Sequence, residues 1–272
     1  MTGDASSDRP WPPFLFQTDG PLHIPSGLAR SPWDPAALAG GAISGLLATV
    51  AEDEELADFE IARFSVDIFG KVPRAPLRLH REALRNGRQT KLHRIVMKAH
   101  DREVAQAHIL RVRRLETPVH AVPHDYPAPD SCPEAQAPPS ARMLGAIEMR
   151  QVMGGPKEPG RGIAWLAMGG EVVRGQAPSP FVCASYFADY GNGFGSATRA
   201  EEWSFANLDI TVQFLRMPVG KWLLLDAETH MAGIGHGTVR SQFADEQGVY
   251  ARGFQTIFVA PGHQSKSLPR RP

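Results

Sequence analysis

The chain runs twice through one order of elements, a helix followed by antiparallel strands, and few folds tolerate that order repeated. In the first half, Leu38, Ala42, Leu46, Leu47 and Val50 fall at three- and four-residue spacing among good helix formers, which predicts a helix over 36–55. Asp34 and Pro35 supply a cap and first-turn pair, and the acidic run Glu52 to Glu55 closes the segment. The pair Gly40-Gly41 is out of place inside a helix, because each glycine costs about 1 kcal/mol against alanine. Either the helix begins there or another group comes close to the backbone.

From Phe59 to Arg114 the period changes to two. Phe64, Val66 and Ile68 alternate with polar neighbours, as do Leu77 and Leu79, and Ile109, Leu110 and Val112 continue the strand pattern. Asn86-Gly87 and Asp101-Arg102 are the turn signals between strands, and 22–24 is a short strand candidate ahead of the helix. Residues 117–145 are rich in Pro and Ala, from Pro118 to Pro138 and Pro139, an extended linker composition without a core of its own. Beyond it, Ser179-Pro180 opens a second helix through Tyr190 that Gly191 stops. Strand patterns follow at 208–214, 222–228, 238–243 and 255–259, with a turn over 245–248. Segment 64–73 aligns weakly with 209–218, sharing a Phe and the terminal Pro. The chain therefore divides into an N-terminal unit 1–116, a linker 117–145 and a C-terminal unit 146–272. Each unit alone would leave a sheet edge exposed, which joining the two removes. Two ferredoxin-like units would need a second helix between strands, and none is visible.

Composition narrows the function. Lys+Arg and Asp+Glu are 29 each, so the clustered cationic charge that nucleic acid requires is missing. Cys132 and Cys183 are too few for a disulfide framework or a zinc site, which fits a reduced cytoplasm. The polar, Pro-rich start at 1–13 lacks a signal-peptide pattern, and no apolar stretch is long enough to cross a bilayer. A Gly-x-Ser-x-Gly elbow is absent, the nearest string at 41–45 being misspaced. Neither cysteine has an activating context, and the histidines show no metal-ligand spacing.

Several strings, in this order and spacing, resemble the bacterial acyl-CoA thioesterase II (TesB-like) family. They are Ser31-Pro32-Trp33-Asp34-Pro35, Gly40-Gly41, the 63–73 strand and Arg85-Asn86-Gly87-Arg88 in the first half. In the second they are Asp189-Tyr190-Gly191-Asn192-Gly193, Asn207-Leu208-Asp209-Ile210-Thr211, Met217 to Trp222, Gly248 and Gln255. The resemblance implies an α+β double hotdog, two tandem units that each wrap a long helix in antiparallel sheet. It implies an acyl-CoA thioesterase that releases free acid and CoA by water attack, with no metal and no cofactor. In the family an Asp, a Gln and a hydroxyl residue orient the water; here the Asp falls on Asp209 and the Gln on Gln255. The hydroxyl position lands on His230, with Thr229 one residue earlier, and a one-residue slip turns a strand side chain to the other face. The chain departs from the family at Ala39, where relatives often carry His. The hydratase pattern Asp-x-Asn-Pro-x-x-His is absent.

The chemistry of these residues is consistent with that role. Asp209 lies in an apolar strand, where desolvation would raise its pKa towards that of a base useful near neutral pH. Its structural alternative is a strand-end carboxylate that caps a loop. Gln255 can donate and accept without charge. Gly40 and Gly41 could present backbone N–H donors to an oxyanion at a helix N-terminus, with Asn192, Gly193 and Asn207 as further substrate contacts. Arg74, Arg78, Arg81, Arg85 and Arg88 read either as a CoA-phosphate surface or as a solvated strand face. An acyl chain would need an apolar tunnel between the layers, with Leu46, Leu47 and Phe181 as lining candidates. The expected partners are acyl-CoA and further copies of the chain, as a homodimer or higher oligomer. A non-catalytic acyl-CoA or acyl-ligand binding protein on the same fold is the alternative.

Overall fold

The computed structural model describes residues 13–52, 56, 58–135, 147–155, 158–199 and 201–262. The expected helix end at Glu55, most of the N-terminal segment 1–13 and the linker prolines Pro138 and Pro139 lie outside the described residues. Strands β1 (Phe14–Asp19) and β2 (Leu22–Pro25) form a hairpin ahead of helix α1 (Gly40–Ala51). Then come β3 (Phe59–Ile68), β4 (Leu77–Asn86), β5 (Thr90–Ala99) and β6 (Arg102–Arg113). The second half opens on β7 (Glu134–Ala135), β8 (Ile147–Gly155), β9 (Glu158–Met168) and β10 (Glu171–Val173), followed by α2 (Pro180–Phe187) and the short α3 (Gly191–Phe194). It closes with β11 (Trp203–Asn207), β12 (Asp209–Phe214), β13 (Leu223–Met231), β14 (His236–Asp245) and β15 (Gly248–Pro261).

Among the described residues the strands make one sheet, in the order β10-β1-β2-β4-β5-β6-β3-β12-β15-β14-β13-β9-β8-β7, with β11 added against β15. The seam between halves is β3 against β12, where Phe64 faces Val212 and Asp67 faces Asp209. These are the two segments that match in sequence, so the repeat pairs with itself across the join. A second tie is the parallel pairing of β1 with β10. Helices α1 and α2 pack together against the sheet, with Ser44 Oγ donating to the Ser185 carbonyl at 2.7 Å. Phe181 stacks edge-on between Phe64 and Phe214, at 5.4 and 5.7 Å, and closes the core under the seam. Two helices wrapped by one continuous sheet is the double hotdog that the sequence implied.

The local expectations shift in instructive ways. Helix α1 starts at Gly40 rather than at 36, because Asp34 spends its carboxylate on a turn, accepting from the Ala36 N–H at 2.8 Å. Its N-cap is Ala39, which offers no side-chain acceptor. At the other end the buried Arg111 guanidinium donates to the Ala51 carbonyl, placing a cation at the negative helix terminus. Helix α2 is capped by Ser179, whose hydroxyl accepts from the Val182 N–H at 3.1 Å. Gly191 does not stop that segment: after a tight turn over 188–190 it begins α3 in helical geometry. The β5–β6 hairpin turns on His100 and Asp101, both at positive φ, one residue earlier than the sequence signal.

The stretch after β6 is extended, as its prolines require, yet it is tied down against the sheet. Val122, Tyr126 and Cys132 pack with Ile163, Trp165, Leu224 and Val249 in a second apolar cluster on the outer face. Trp165 Nε1 donates to the Pro127 carbonyl at 2.9 Å, and the Val249 N–H to the Val122 carbonyl at 2.8 Å. Tyr126 donates its hydroxyl proton to Asp226, which also accepts from the Arg161 guanidinium, while Gln242 donates to the Tyr126 oxygen. Tyr126→Phe removes both bonds of that hydroxyl. We expect it to lower stability by about 1 kcal/mol in a denaturant titration; an unchanged midpoint would mean that apolar packing alone fastens the strap.

Candidate active site

A cleft of about 580 Å³ opens at the N-terminus of α1. Its floor is built from both halves: Gly40 and Gly41 of α1, Asp189 and Tyr190 beyond α2, Gly193 of α3, and Asn207 at the end of β11. Trp33, Phe205 and Phe258 stand at its mouth, with Trp33 edge-on to Phe205 at 5.1 Å. Lys71 and Asp34 form an ion pair on its rim.

The centre of the floor is Asp189. Asn207 donates from Nδ2 to the Asp189 carboxylate at 2.6 Å and to its backbone carbonyl at 3.1 Å. Gln255 donates from Nε2 to that same carbonyl at 3.2 Å. The Gly41 backbone N–H donates to the carboxylate from the first turn of α1. Asp189 therefore acts as a remote N-cap for a helix whose own cap residue, Ala39, cannot serve. A methyl on Gly40 would lie 2.0 Å from Asp189 Oδ1, so the unusual glycine pair is explained by the approach of a carboxylate. Burial pushes the Asp189 carboxyl above the usual carboxylate range, against the opposing pull of the Asn207 and Gly41 donors. Tyr186 and Tyr190 wall the same space, their hydroxyls hydrogen-bonded to each other at 3.0 Å.

The residues singled out in the sequence fall into three groups. Gly40, Gly41, Asn207 and Gln255 converge on Asp189, and Gly193 lines the cleft beside them. Thr229 and Asn192 form a buried pair of their own, Thr229 Oγ1 donating to Asn192 Oδ1 at 2.9 Å. Thr229 and Gln255 each sit opposite Val239 on β14, so all three lie in one row on the helix-facing side. His230 is exposed on the outer side, 3.5 Å from Glu228. Asp209 falls with Thr211 and Gln213 on the strand face turned away from the core, and its Oδ1 accepts from the Thr256 N–H at 3.0 Å. That bond spans the irregularity where β11 gives way to β12. Neither Asp209 nor any of Arg74, Arg78, Arg81, Arg85 and Arg88 lines the cleft.

Gly191 completes the arrangement. Its hypothetical methyl would meet Gln255 Oε1 at 2.2 Å and Ser241 Oγ at 2.9 Å, so glycine here lets Gln255 reach past α3 to the Asp189 carbonyl. The sequence alone gives Asp189 no role beyond its place in the Asp189-to-Gly193 string. The signal that could have exposed it was the need for an acceptor at the uncapped start of α1.

The family model for the acyl-CoA thioesterase N-terminal domain matches residues 29–112, and that for the acyl-CoA thioesterase C-terminal domain matches 129–259. Among solved structures, the chain is similar to a thioesterase described as putative from Novosphingobium aromaticivorans, at 25% identity and a TM-score of 0.70, covering 90% of this chain and 98% of that one. It shares its fold with a hot dog protein of unknown function from Alicyclobacillus acidocaldarius (16% identity, TM-score 0.69, 90% and 95% covered). It also shares it with acyl-CoA thioesterase II TesB2 from Mycobacterium marinum (16%, 0.64, 90% and 95%). No curated protein matches the chain in sequence.

Proposed function

We propose that this chain, which belongs to the acyl-CoA thioesterase family, hydrolyses an acyl-CoA to free acid and CoA in the cleft at the start of α1, with Asp189 as the base. The observation that carries this reading is the carboxylate of Asp189, which opens on this cleft and is held at the α1 N-terminus by the Asn207 amide and the Gly41 N–H, while Gln255 ties its backbone carbonyl. Water hydrogen-bonded to Asp189 gives up a proton to the carboxylate as its oxygen attacks the thioester carbonyl. The oxyanion that forms lies near the N–H groups of the first turn of α1, where the helix dipole favours negative charge. Collapse breaks the C–S bond, and the proton returns from Asp189 to the departing thiolate. Asn207 and Gln255 hold the aspartate segment from the sheet. Asp209 stays at the sheet irregularity in this reading, as a strand-end cap.

The raised pKa of Asp189 gives a pH dependence with a definite sign. The base works only when ionised, so turnover falls as pH drops through a value above the ordinary carboxylate range. Stability moves the opposite way. A carboxyl whose folded pKa is raised binds its proton more tightly in the folded state, so its contribution is present at low pH and lost as pH rises through the folded value. Free-thiol release measured across pH on a panel of acyl-CoAs tests both the activity and this limb. An acid limb within the ordinary range for an exposed aspartate would remove Asp189 as the base. Acyl-CoA that binds and is never cleaved would favour the non-catalytic binding protein.

A further inference from the structure

An acyl-CoA thioesterase site must put the acyl chain somewhere, and the packing around α1 limits where. Along that helix the cleft touches only Gly40, Gly41 and Ile43, which is the first turn. Immediately beyond, Leu46, Leu47 and Ala48 are completely buried, and Phe181 of α2 is 2% exposed. Leu46, Leu47 and Phe181 were the lining candidates for a tunnel; here they fill the core instead and leave none. The fit is tight further along as well. A methyl on Gly45 would lie 3.2 Å from Val172 Cγ2 and 3.3 Å from Tyr186 Cδ2. Among the described residues the space behind the first turn of α1 is filled by these side chains, which confines the acyl group to the cleft itself, shared with the thioester and the adjoining end of the CoA arm.

The walls of that cleft are aromatic. Tyr190 and Phe194 are stacked at 6.1 Å with planes 13° apart, and Tyr186 is joined to Tyr190 through its hydroxyl. Rings of this kind favour offset or edge-on contact with another ring.

We propose that the substrate of this site is a compact acyl-CoA, carrying a short, branched or single-ring aromatic acyl group, and that long straight chains are excluded by the packed turns of α1 beyond its first. The inference rests on the thioesterase reading of the cleft. While apolar wall remains to be covered, each added methylene raises the specificity constant by about fourfold. Once the acyl end meets Ile43 and the core behind it, further carbons gain nothing and must displace packed side chains.

The test is thiol release by the full chain with acetyl-, butyryl-, hexanoyl-, benzoyl-, phenylacetyl-, lauroyl- and palmitoyl-CoA. The expected profile peaks among the short and aromatic members, with palmitoyl-CoA at least about tenfold below the best of them. A specificity constant that climbs through lauroyl to palmitoyl overturns the proposal while leaving thioester hydrolysis intact. Absence of turnover on every member overturns the catalytic reading instead. Calorimetric affinities for the same thioesters then decide the size preference, compact above long sustaining it and long above compact overturning it. Ile43→Ala removes the side chain at the inner end of the cleft and is expected to shift the preferred length upwards; an unchanged profile would overturn this placement of the acyl end.

Discussion

Replacing Asp189 with Asn is expected to lower kcat by about 10²- to 10⁴-fold, the range general acid–base catalysis supplies, with KM little changed. In the proposed placement the acyl group meets Ile43, Tyr186, Tyr190 and the mouth aromatics, and the substitution changes none of these side chains. The melting temperature should move by only a few degrees. Ionised Asp189 costs folding free energy because burial opposes its charge, and a neutral amide removes that cost; against this, its single oxygen can accept from only one of the Gly41 and Asn207 donors. Loss of activity together with a large fall in melting temperature would point to a structural residue, a remote cap for α1 and nothing more. The comparison variant is Asp209→Asn, measured by the same thiol-release assay. Its carboxylate accepts one backbone N–H across a strand irregularity, so the change is expected to cost up to about 1.5 kcal/mol of stability with turnover kept. Should Asp209→Asn abolish turnover and Asp189→Asn spare it, the base is Asp209 and the site lies elsewhere.

The fold was legible wherever one face of an element meets water. The alternation of Phe64 and Val66 with their neighbours in β3, and of Ile210 and Val212 in β12, comes from strands buried on one side. β9 gave no such signal, and the structure shows why. Its residues Gly162 to Ala167 are all buried, Ala164 and Leu166 against the main core and Ile163 and Trp165 beneath the Pro-rich strap. A strand covered on both faces has no period of two to read, and the cover is a segment whose composition reads as a free linker. The candidate site was hidden for a related reason. Asp189 is one polar residue in a buried, aromatic segment, and its meaning depends on the first turn of α1, in the other half of the chain. Gly40 did mark the site, as a glycine inside a helical pattern, whereas Gly191 reads from sequence as a helix stop; what approaches each of them is a tertiary fact, Asp189 in one case and Gln255 in the other.

Gly40→Ala turns that tertiary fact into a prediction of opposite sign to the helix rule. On propensity alone, glycine to alanine near a helix start stabilises by up to about 1 kcal/mol. Here the new methyl would sit 2.0 Å from Asp189 Oδ1 and 2.8 Å from its Cγ, well inside contact distance. The carboxylate cannot swing aside cheaply, because Asn207 holds the oxygen at 2.6 Å and the Gly41 N–H donates to the same group. Relief of the clash therefore breaks the geometry on which the proposed role of Asp189 as base depends. A misplacement of about 1 Å at a reacting group can cost about 10²-fold in rate, and that is the expected fall in kcat. Overpacking adds a destabilisation of about 1–3 kcal/mol, outweighing the propensity gain. Acting through Asp189, the substitution should have almost no further effect on kcat in an Asp189→Asn background, where the base is already lost. Gly41→Ala is the graded control, since its methyl would meet the Tyr186 carbonyl at 3.1 Å and a slight shift can absorb it. A Gly40→Ala protein that is more stable and equally active would mean that the carboxylate does not rest against α1 in solution, and the base would then have to be sought away from that helix.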